Sequence, residues 1–351
     1  MYFDGSGRPL TLGKELGQGA AAIVYSHGMH SGKAVKVFKP HYLQNEKTLA
    51  KRLDLLQKLA LQANLSIQLG NQIRGIGSWP QEIVKNRNGV AVGFVMDTFR
   101  DGISLQEIVD AKDIKKAFYK ISVKDPNNYL KWRNNFFYTT GRIKNRVILC
   151  HNLALYFDKI YNLKAKDGRS IALDICNFDI KPKNILVTID SDNIVPFILD
   201  LDNLTLKNNT GIVAPSHPQM TPEYSAPEGP KDKYYDYFSL AVIFYQLIIN
   251  CHPFAVYGGT RFTDGTTTEF MVKKMCFAWG RNRKFLTPES QNCVVHGNFR
   301  FLPADVQNLF VRAFDSDIPK NRPTPAEWVA ALRGYLTKSG AMINSQFKMP
   351  V

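Results

Sequence analysis

The stretch Asn177-Phe178-Asp179-Ile180-Lys181-Pro182-Lys183-Asn184-Ile185-Leu186-Val187, followed after a turn by Phe197-Ile198-Leu199-Asp200-Leu201-Asp202, decides the reading of this chain. Two short apolar strands are predicted at 184–189 and 196–201, separated by the turn residues Asp190-Ser191-Asp192-Asn193. Polar groups stand at both ends of the hairpin: Asp179, Lys181 and Asn184 before it, Asp200 and Asp202 after it. Singly, each acid or lysine reads as a solvated surface charge. Their order along the chain is what carries the chemistry.

Upstream, Leu16-Gly17-Gln18-Gly19-Ala20-Ala21-Ala22-Ile23-Val24 fits G-x-G-x-x-A-x-V between two predicted strands. Glycines let a backbone lie close over phosphates, and small residues at the tip leave it open. No helix follows this turn and Ala22 takes the third position, which argues against a dinucleotide-binding turn. Ala34-Val35-Lys36-Val37-Phe38 is a strand with one lysine among apolar residues. Lys36 is either an edge-strand solubiliser or a buried cation, and burial demands a carboxylate and an anionic ligand nearby. From 42 to 69 the pattern turns helical. Glu46 shares a face with Leu49, Leu53 and Leu56 and is the expected partner of Lys36, in preference to Asp54, which lies off that stripe. Strand character returns at 89–96, and helical segments follow near 104–120, 128–140, 146–163 and 236–250. The order predicts an α+β chain, strand-rich first and helical afterwards.

These motifs resemble the protein kinase superfamily, in particular atypical bacterial kinases of the eukaryotic-like Ser/Thr type. Asp179-Ile180-Lys181-Pro182-Lys183-Asn184 resembles the D-x-K-x-x-N catalytic loop, and Asp200-Leu201-Asp202 stands where the family has D-F-G. Thr221-Pro222-Glu223-Tyr224-Ser225-Ala226-Pro227-Glu228 resembles the T-P-E-Y-x-A-P-E segment, and Asp236-Tyr237-Phe238-Ser239-Leu240 the D-x-W-S-L start of a buried helix. His252-Pro253-Phe254 and Arg322-Pro323-Thr324 resemble G-x-P-F and the late R-P-T, whose arginine pairs with the A-P-E glutamate. The resemblance implies a bilobal fold: a small lobe over 1–99, a larger helical lobe over 100–337 and a tail over 338–351, with ATP and Mg²⁺ (or Mn²⁺) between the lobes.

It also implies roles. Gly17, Gly19, Ala22 and Val24 would cover the nucleotide. Lys36, held by Glu46, would bind the α/β-phosphates. Met96, Asp97 and Phe99 would form the adenine hinge. Asp179 would accept the substrate hydroxyl proton and Lys181 would neutralise the γ-phosphate. Asn184, Asp200 and Asp202 would supply hard oxygen ligands to the metal. Thr221, Glu228, Asp236 and Arg322 would build the substrate platform. The implied reaction is transfer of the γ-phosphate of ATP to a protein Ser or Thr hydroxyl.

The chain departs from the family in three places. Asn177-Phe178 replaces His-Arg before Asp179, which removes the usual partner of a phosphorylated activation loop. Asp202 replaces the D-F-G glycine, and three consecutive alanines fill the glycine-rich loop. A nucleotide-binding pseudokinase scaffold and a kinase-fold nucleotidyltransferase are the alternatives.

Composition frames this reading. The 351 residues carry 45 Lys+Arg against 30 Asp+Glu, a formal charge of +15 that attracts anions, and 44% hydrophobic residues, enough for a sizeable core. Five cysteines without a CxxC pair disfavour a disulfide framework or a zinc site. The start resembles no signal peptide and no apolar run spans a bilayer, so a cytoplasmic location is expected. Residues 111–146 hold ten Lys and Arg against two Asp, interleaved with aromatics. They read as an anionic-partner surface or as an extra helical hairpin. Residues 257–268 read as a Gly/Thr-rich loop, and Thr324-Pro325-Ala326-Glu327 as a capping box opening the last helix.

Overall fold

The computed structural model describes residues 1–338 apart from 70–71, 100–101, 110–141, 177, 191–192, 210, 218–219, 260, 263–266 and 289–295. Most of the basic segment, Asn177 and the tail beyond 338 therefore lie outside the described residues. The chain divides into two units: residues 1–102, 159–178 and 197–219 form one, and 103–158, 179–196 and 220–351 the other.

In the first unit, strands β1 (Tyr2–Phe3), β2 (Pro9–Leu10), β3 (Leu12–Gln18), β4 (Ala22–His27) and β5 (Lys33–Phe38) precede helices α1 (Pro40–Asn45) and α2 (Leu49–Gln62). A small hairpin of β6 (Ser66–Leu69) and β7 (Gln72–Gly75) follows, then β8 (Glu82–Lys85) and β9 (Ala91–Asp97). Seven strands form one antiparallel sheet in the order β2-β1-β8-β9-β5-β4-β3.

The two-residue period of β5 sorts its side chains. Val35 and Val37 pack with Leu10, Val84, Val92 and Val95 on one face. Ala34 and Phe38 pack with Ala22, Leu49, Leu53, Phe94 and Met96 on the other, the face that also carries Lys36. Each of these larger side chains contributes about 1.5–3 kcal/mol by leaving water. The strands approach closely at Gly93, where a Cβ would lie 2.2 Å from the Lys36 carbonyl oxygen. Glycine is required there by space.

The single helical run expected over 42–69 is broken twice. Pro40 opens α1, but Glu46 leaves the helical region (φ −102°, ψ 85°) and a new helix starts at Leu49. At the far end the Asn64 side chain accepts from the Ser66 backbone N–H at 3.2 Å, and the chain turns into β6. The rest of this unit includes a three-stranded sheet of Asp174–Cys176, Thr205–Asn208 and Gly211–Val213.

The second unit is mainly helical. Ile103–Ser104 pairs antiparallel with Ile185–Asp190. Its helices are α3 (Leu105–Val109), α4 (Arg142–Tyr161), whose last three residues belong to the first unit, α5 (Lys233–Ile249), α6 (Thr268–Lys273), α7 (Ala304–Phe314) and α8 (Pro325–Lys338). Helix α5 is buried on every side from Tyr235 to Ile249, an apolar run interrupted only by Asp236, Ser239 and Gln246. Asp232 caps its first turn by accepting from the Tyr234 N–H at 2.9 Å. Phe238 of α5 packs against Phe254 and Phe314, and Trp328 of α8 against Phe244 and Phe310. Helix α8 opens on a reciprocal capping box: Thr324 N–H donates to Glu327 Oε2 at 2.8 Å and Glu327 N–H to Thr324 Oγ1 at 3.2 Å. Among the described residues no helix is long and apolar enough to cross a membrane.

Candidate active site

Lys36 sits mid-strand on β5, opposite Val24 of β4 and Phe94 of β9. Its ammonium is buried and lies 2.7 Å from Asp202 Oδ1 and 3.0 Å from Asp200 Oδ1. The rings of Phe38 and Phe94 stand 5.6 and 5.7 Å away. Burial pulls the lysine pKa down, but the two carboxylates outweigh it and hold the group above its usual range. Lys36 is thus a fixed cation.

The two aspartates reach Lys36 because the chain ahead of them is pinned. Ser78 N–H donates to the Ile198 carbonyl at 2.8 Å, beside a parallel bridge from Gly77 to Ile198. A Cβ at Gly77 would lie 2.3 Å from that carbonyl oxygen, so the approach needs glycine. Asp200 then takes a left-handed conformation (φ 55°, ψ 32°) and opens the 3-10 turn Leu201–Asn203. That backbone costs a non-glycine residue about 1–2 kcal/mol, strain of a kind that collects at functional sites. The side chain of Asp200 is 42% exposed, whereas that of Asp202 is 1% exposed.

Glu46, expected on Lys36, has other partners. It ends α1, and its carboxylate accepts from Thr48 Oγ1 at 2.8 Å and from Ser216 N–H (2.9 Å to Oε2) and Oγ (3.0 Å to Oε1). Arg52 Nη1 lies 3.4 Å from Oε1. Burial raises the Glu46 pKa, but the Thr48 hydroxyl, Arg52 and Ser216 outweigh it and hold the carboxyl below its usual range. With the chain out of helical conformation at Glu46, its carboxylate meets Thr48, Arg52 and Ser216. Asp54 is exposed and paired with Lys58 on its own helix.

Arg52 is the residue that sequence reasoning missed. It is fully buried on the α2 stripe with Leu49, Leu53, Leu56 and Leu59. Its Nε donates to the Asp202 backbone carbonyl at 2.7 Å and its Nη1 to Thr48 Oγ1 at 3.2 Å. The signal was present: an arginine three residues after Leu49 and four before Leu56 stands within an apolar stripe and must have buried partners.

In the β3–β4 hairpin, Gly17 pairs with Val24 and Gly19 N–H donates to the Ala22 carbonyl at 2.9 Å. No atom lies within 4 Å of where a Cβ would stand on Gly17 or Gly19, so the backbone there is open to a ligand. Ala22 is buried, and Val24 packs on the core beside it. Of the hinge residues, Met96 is buried in the same cluster. The Asp97 carboxylate is taken by Lys33 at 2.5 Å and Gln81 Nε2 at 2.6 Å, and Phe99 stacks on Phe197 with ring centres 4.6 Å apart.

In the second unit Asp179 also has a left-handed backbone, φ 46°. Its carboxylate is ion-paired with Lys181 and accepts from Thr221 Oγ1 at 3.1 Å, while Lys181 Nζ donates to Thr221 Oγ1 at 3.1 Å. Asn184 Nδ2 donates to the Asp179 carbonyl at 3.1 Å, so its amide oxygen is the end available to a cation. The 3-10 turn Pro182–Asn184 brings this about by returning the chain within three residues. Phe178, where the family carries arginine, is buried and meets Tyr161 edge-on.

Residues 221–228 are fastened to α5 and the loop before α8. Ser239 Oγ donates to the Tyr224 carbonyl at 2.6 Å, and Tyr235 Oη to Ser225 Oγ at 2.8 Å. Arg322, buried, holds Glu228 through both terminal nitrogens, with Nη2 2.9 Å from Oε2. Asp236 is fully buried.

Asp200 in the first unit and Asn184 in the second each present a hard oxygen of the kind that magnesium prefers. Among the described residues no three His, Cys, Asp or Glu side chains cluster as a self-sufficient metal cage.

The chain is 24% identical over 341 residues to protein kinase YegI of Escherichia coli (strain K12). That alignment covers 94% of this chain and 45% of the relative, so the chain spans less than half of the relative's length. No protein-family model matches the chain. The crystal structure of a double mutant of the Mycobacterium tuberculosis PknI kinase domain superposes with a TM-score of 0.49 at 14% identity, over 93% of this chain and 95% of that one. The alignment with a kinase over most of this chain runs alongside motifs that resemble those of the protein kinase superfamily and stand in the same order.

Proposed function

We propose that this chain is an ATP- and Mg²⁺-dependent protein kinase that transfers the γ-phosphate to a Ser or Thr hydroxyl. The observation that carries the reading is the Asp179–Lys181–Thr221 triangle, a carboxylate oriented by two neighbours, with Asn184 bonded to the backbone carbonyl of Asp179. A base held in one geometry contributes about 10²–10⁴-fold when it takes the proton of an attacking hydroxyl.

In this reading the substrate oxygen forms a bond to the γ-phosphorus as the bond to the β-phosphate oxygen breaks. The hydroxyl proton passes to an Asp179 carboxylate oxygen, and ADP leaves. Lys181 offsets the γ-phosphate charge and Lys36 the α/β-phosphates, both without solvent reorganisation at the moment of transfer. Asp200 and Asn184 would each offer an oxygen ligand to Mg²⁺, and the ion would supply positive charge against the phosphates. Gly17 and Gly19 would let the β3–β4 hairpin lie over the phosphates, with Met96, Asp97 and Phe99 at the adenine. Thr221, Glu228, Asp236 and Arg322 would shape the substrate platform.

The test is phosphorylation of a generic protein acceptor such as casein, followed by phosphoamino-acid analysis. Wild type should yield phosphoserine or phosphothreonine, and Asp179→Ala should lower turnover on the order of 1,000-fold. Turnover unchanged in Asp179→Ala would refute the assignment.

A further inference from the structure

We infer that Asp202 and Arg52 are positioning residues: Asp202 is the buried counter-ion of Lys36, and Arg52 fixes Asp202 by holding its backbone carbonyl. The inference rests on the kinase reading above. The metal role considered for Asp202 passes to Asp200 alone of the two aspartates.

Three observations lead here. The first is that Glu46 is committed: Thr48 and Ser216 donate to it and Arg52 balances its charge. A buried Lys36 must find its anion elsewhere. The second is burial. Asp202 is 1% exposed, its Oδ1 lies 2.7 Å from Lys36 Nζ, and its Oδ2 has no hydrogen-bond partner among the described residues. A carboxylate so placed is compensated through its one cation. Asp200, with 42% of its side chain exposed, is the aspartate that a hydrated divalent cation can reach.

The third is Arg52 itself. A fully buried guanidinium bonded to a backbone carbonyl fixes the turn that carries that carbonyl. Here it ties the Asp200–Asp202 turn to α2, while Nη1 ties Glu46 and Thr48 to the same helix. Two departures from the family then have one cause. A glycine at 202 could offer Lys36 no carboxylate, and a glutamate pointed at Lys36 from the α1–α2 region is absent because Glu46 serves Arg52. Moving the anion from the helix to the turn demands an acid at 202 and a donor at 52.

The experiment measures two quantities on full-chain variants: kcat for phosphate transfer, and the Mg²⁺ concentration at which a fluorescent ATP analogue is half bound. Wild type is measured first. If it neither binds the analogue nor transfers phosphate, the kinase reading fails and the present inference with it. With wild type active, Asp202→Asn should lower kcat on the order of 100-fold while the Mg²⁺ midpoint stays within about twofold. Asp200→Asn should raise that midpoint about tenfold or more, as loss of a ligand does. Arg52→Lys, which can still donate to the carbonyl, should retain more kcat than Arg52→Gln.

An Asp202→Asn variant with wild-type kcat, or one whose Mg²⁺ midpoint moves as far as that of Asp200→Asn, would overturn the inference. Equal kcat in Arg52→Lys and Arg52→Gln would overturn the role of Arg52. If Asp202→Asn does not fold, Asp202→Glu, which keeps the charge but shifts the carboxylate, is read by the same two quantities.

Discussion

Arg322 grips Glu228 with both terminal nitrogens and donates a further hydrogen bond from Nη1 to the Tyr234 carbonyl at 3.0 Å. Its guanidinium also lies 5.2 Å from the ring centre of Phe238. Residues nearly a hundred positions apart are thereby locked to the start of α5. Removing one partner of such a buried pair leaves the other charge uncompensated. Arg322→Met is expected to cost about 3–5 kcal/mol, read from urea unfolding of the purified protein. Glu228→Gln, which keeps hydrogen-bonding oxygen in place and is partly solvated, should cost less.

Thr221 is expected to act on turnover without acting on the fold. Its hydroxyl donates to Asp179 and accepts from Lys181, so Thr221→Ala loses one neighbour of the base while burying no new charge. Turnover should fall about tenfold, with thermal stability changed by less than about 1 kcal/mol. Thr221→Ser should restore most of the turnover. Loss of activity equal in Ala and Ser variants would exclude the hydroxyl.

These assignments differ in how far the sequence announced them. Asp179, Lys181 and Asn184 fall within six residues, and a tight turn leaves such a group few ways to point. Local spacing therefore conveyed most of their geometry. The strand nature of β5 is equally legible from Val35, Val37 and Phe38, whereas the burial of Lys36 is one of two readings its sequence allows. What spacing did not convey was the partner of Lys36, because that depends on where α1 stops. Glu46 has the period of the α2 stripe, but its carboxylate is taken by Thr48 and Ser216, and no sequence period reports a partner 170 positions away. Arg52 is readable in the same way, since a cation on an apolar stripe is as strong a signal as one in an apolar strand.

Asp200 carries a left-handed backbone, and side-chain chemistry there can be separated from backbone strain. Asparagine tolerates that region best after glycine, whereas a β-branched residue does not. Asp200→Asn should keep its melting temperature within a few degrees of wild type and lose phosphate transfer. Asp200→Val should lose transfer and, in addition, about 1–2 kcal/mol of stability, read by differential scanning fluorimetry and denaturant titration. Equal stability of the two variants would contradict the strain.

His296 gives the fold a defined acid limit. It is buried, with one ring nitrogen 2.9 Å from the Tyr245 hydroxyl and the other 3.2 Å from the Ala255 carbonyl oxygen, the pattern of a neutral imidazole. Burial lowers its pKa to about 4 against the ordinary 6.5, the Ala255 carbonyl only partly opposing the shift. The unfolded chain therefore binds this proton more readily, and stability falls as pH drops from 6.5 toward 4. The loss approaches about 3 kcal/mol. Urea midpoints across that window should show the slope, and His296→Leu should flatten it while lowering stability at pH 7.

The account as a whole stands on transfer of a phosphoryl group, and intact-mass spectrometry tests that most directly. Wild-type protein and Asp179→Ala are incubated with ATP, Mg²⁺ and casein, and both protein and acceptor are weighed. The account predicts increments of about 80 Da with wild type and none with Asp179→Ala. An increment of about 329 Da would mean nucleotidyl transfer, and no increment while ATP raises the melting temperature would mean a nucleotide-binding scaffold. Either result would contradict it.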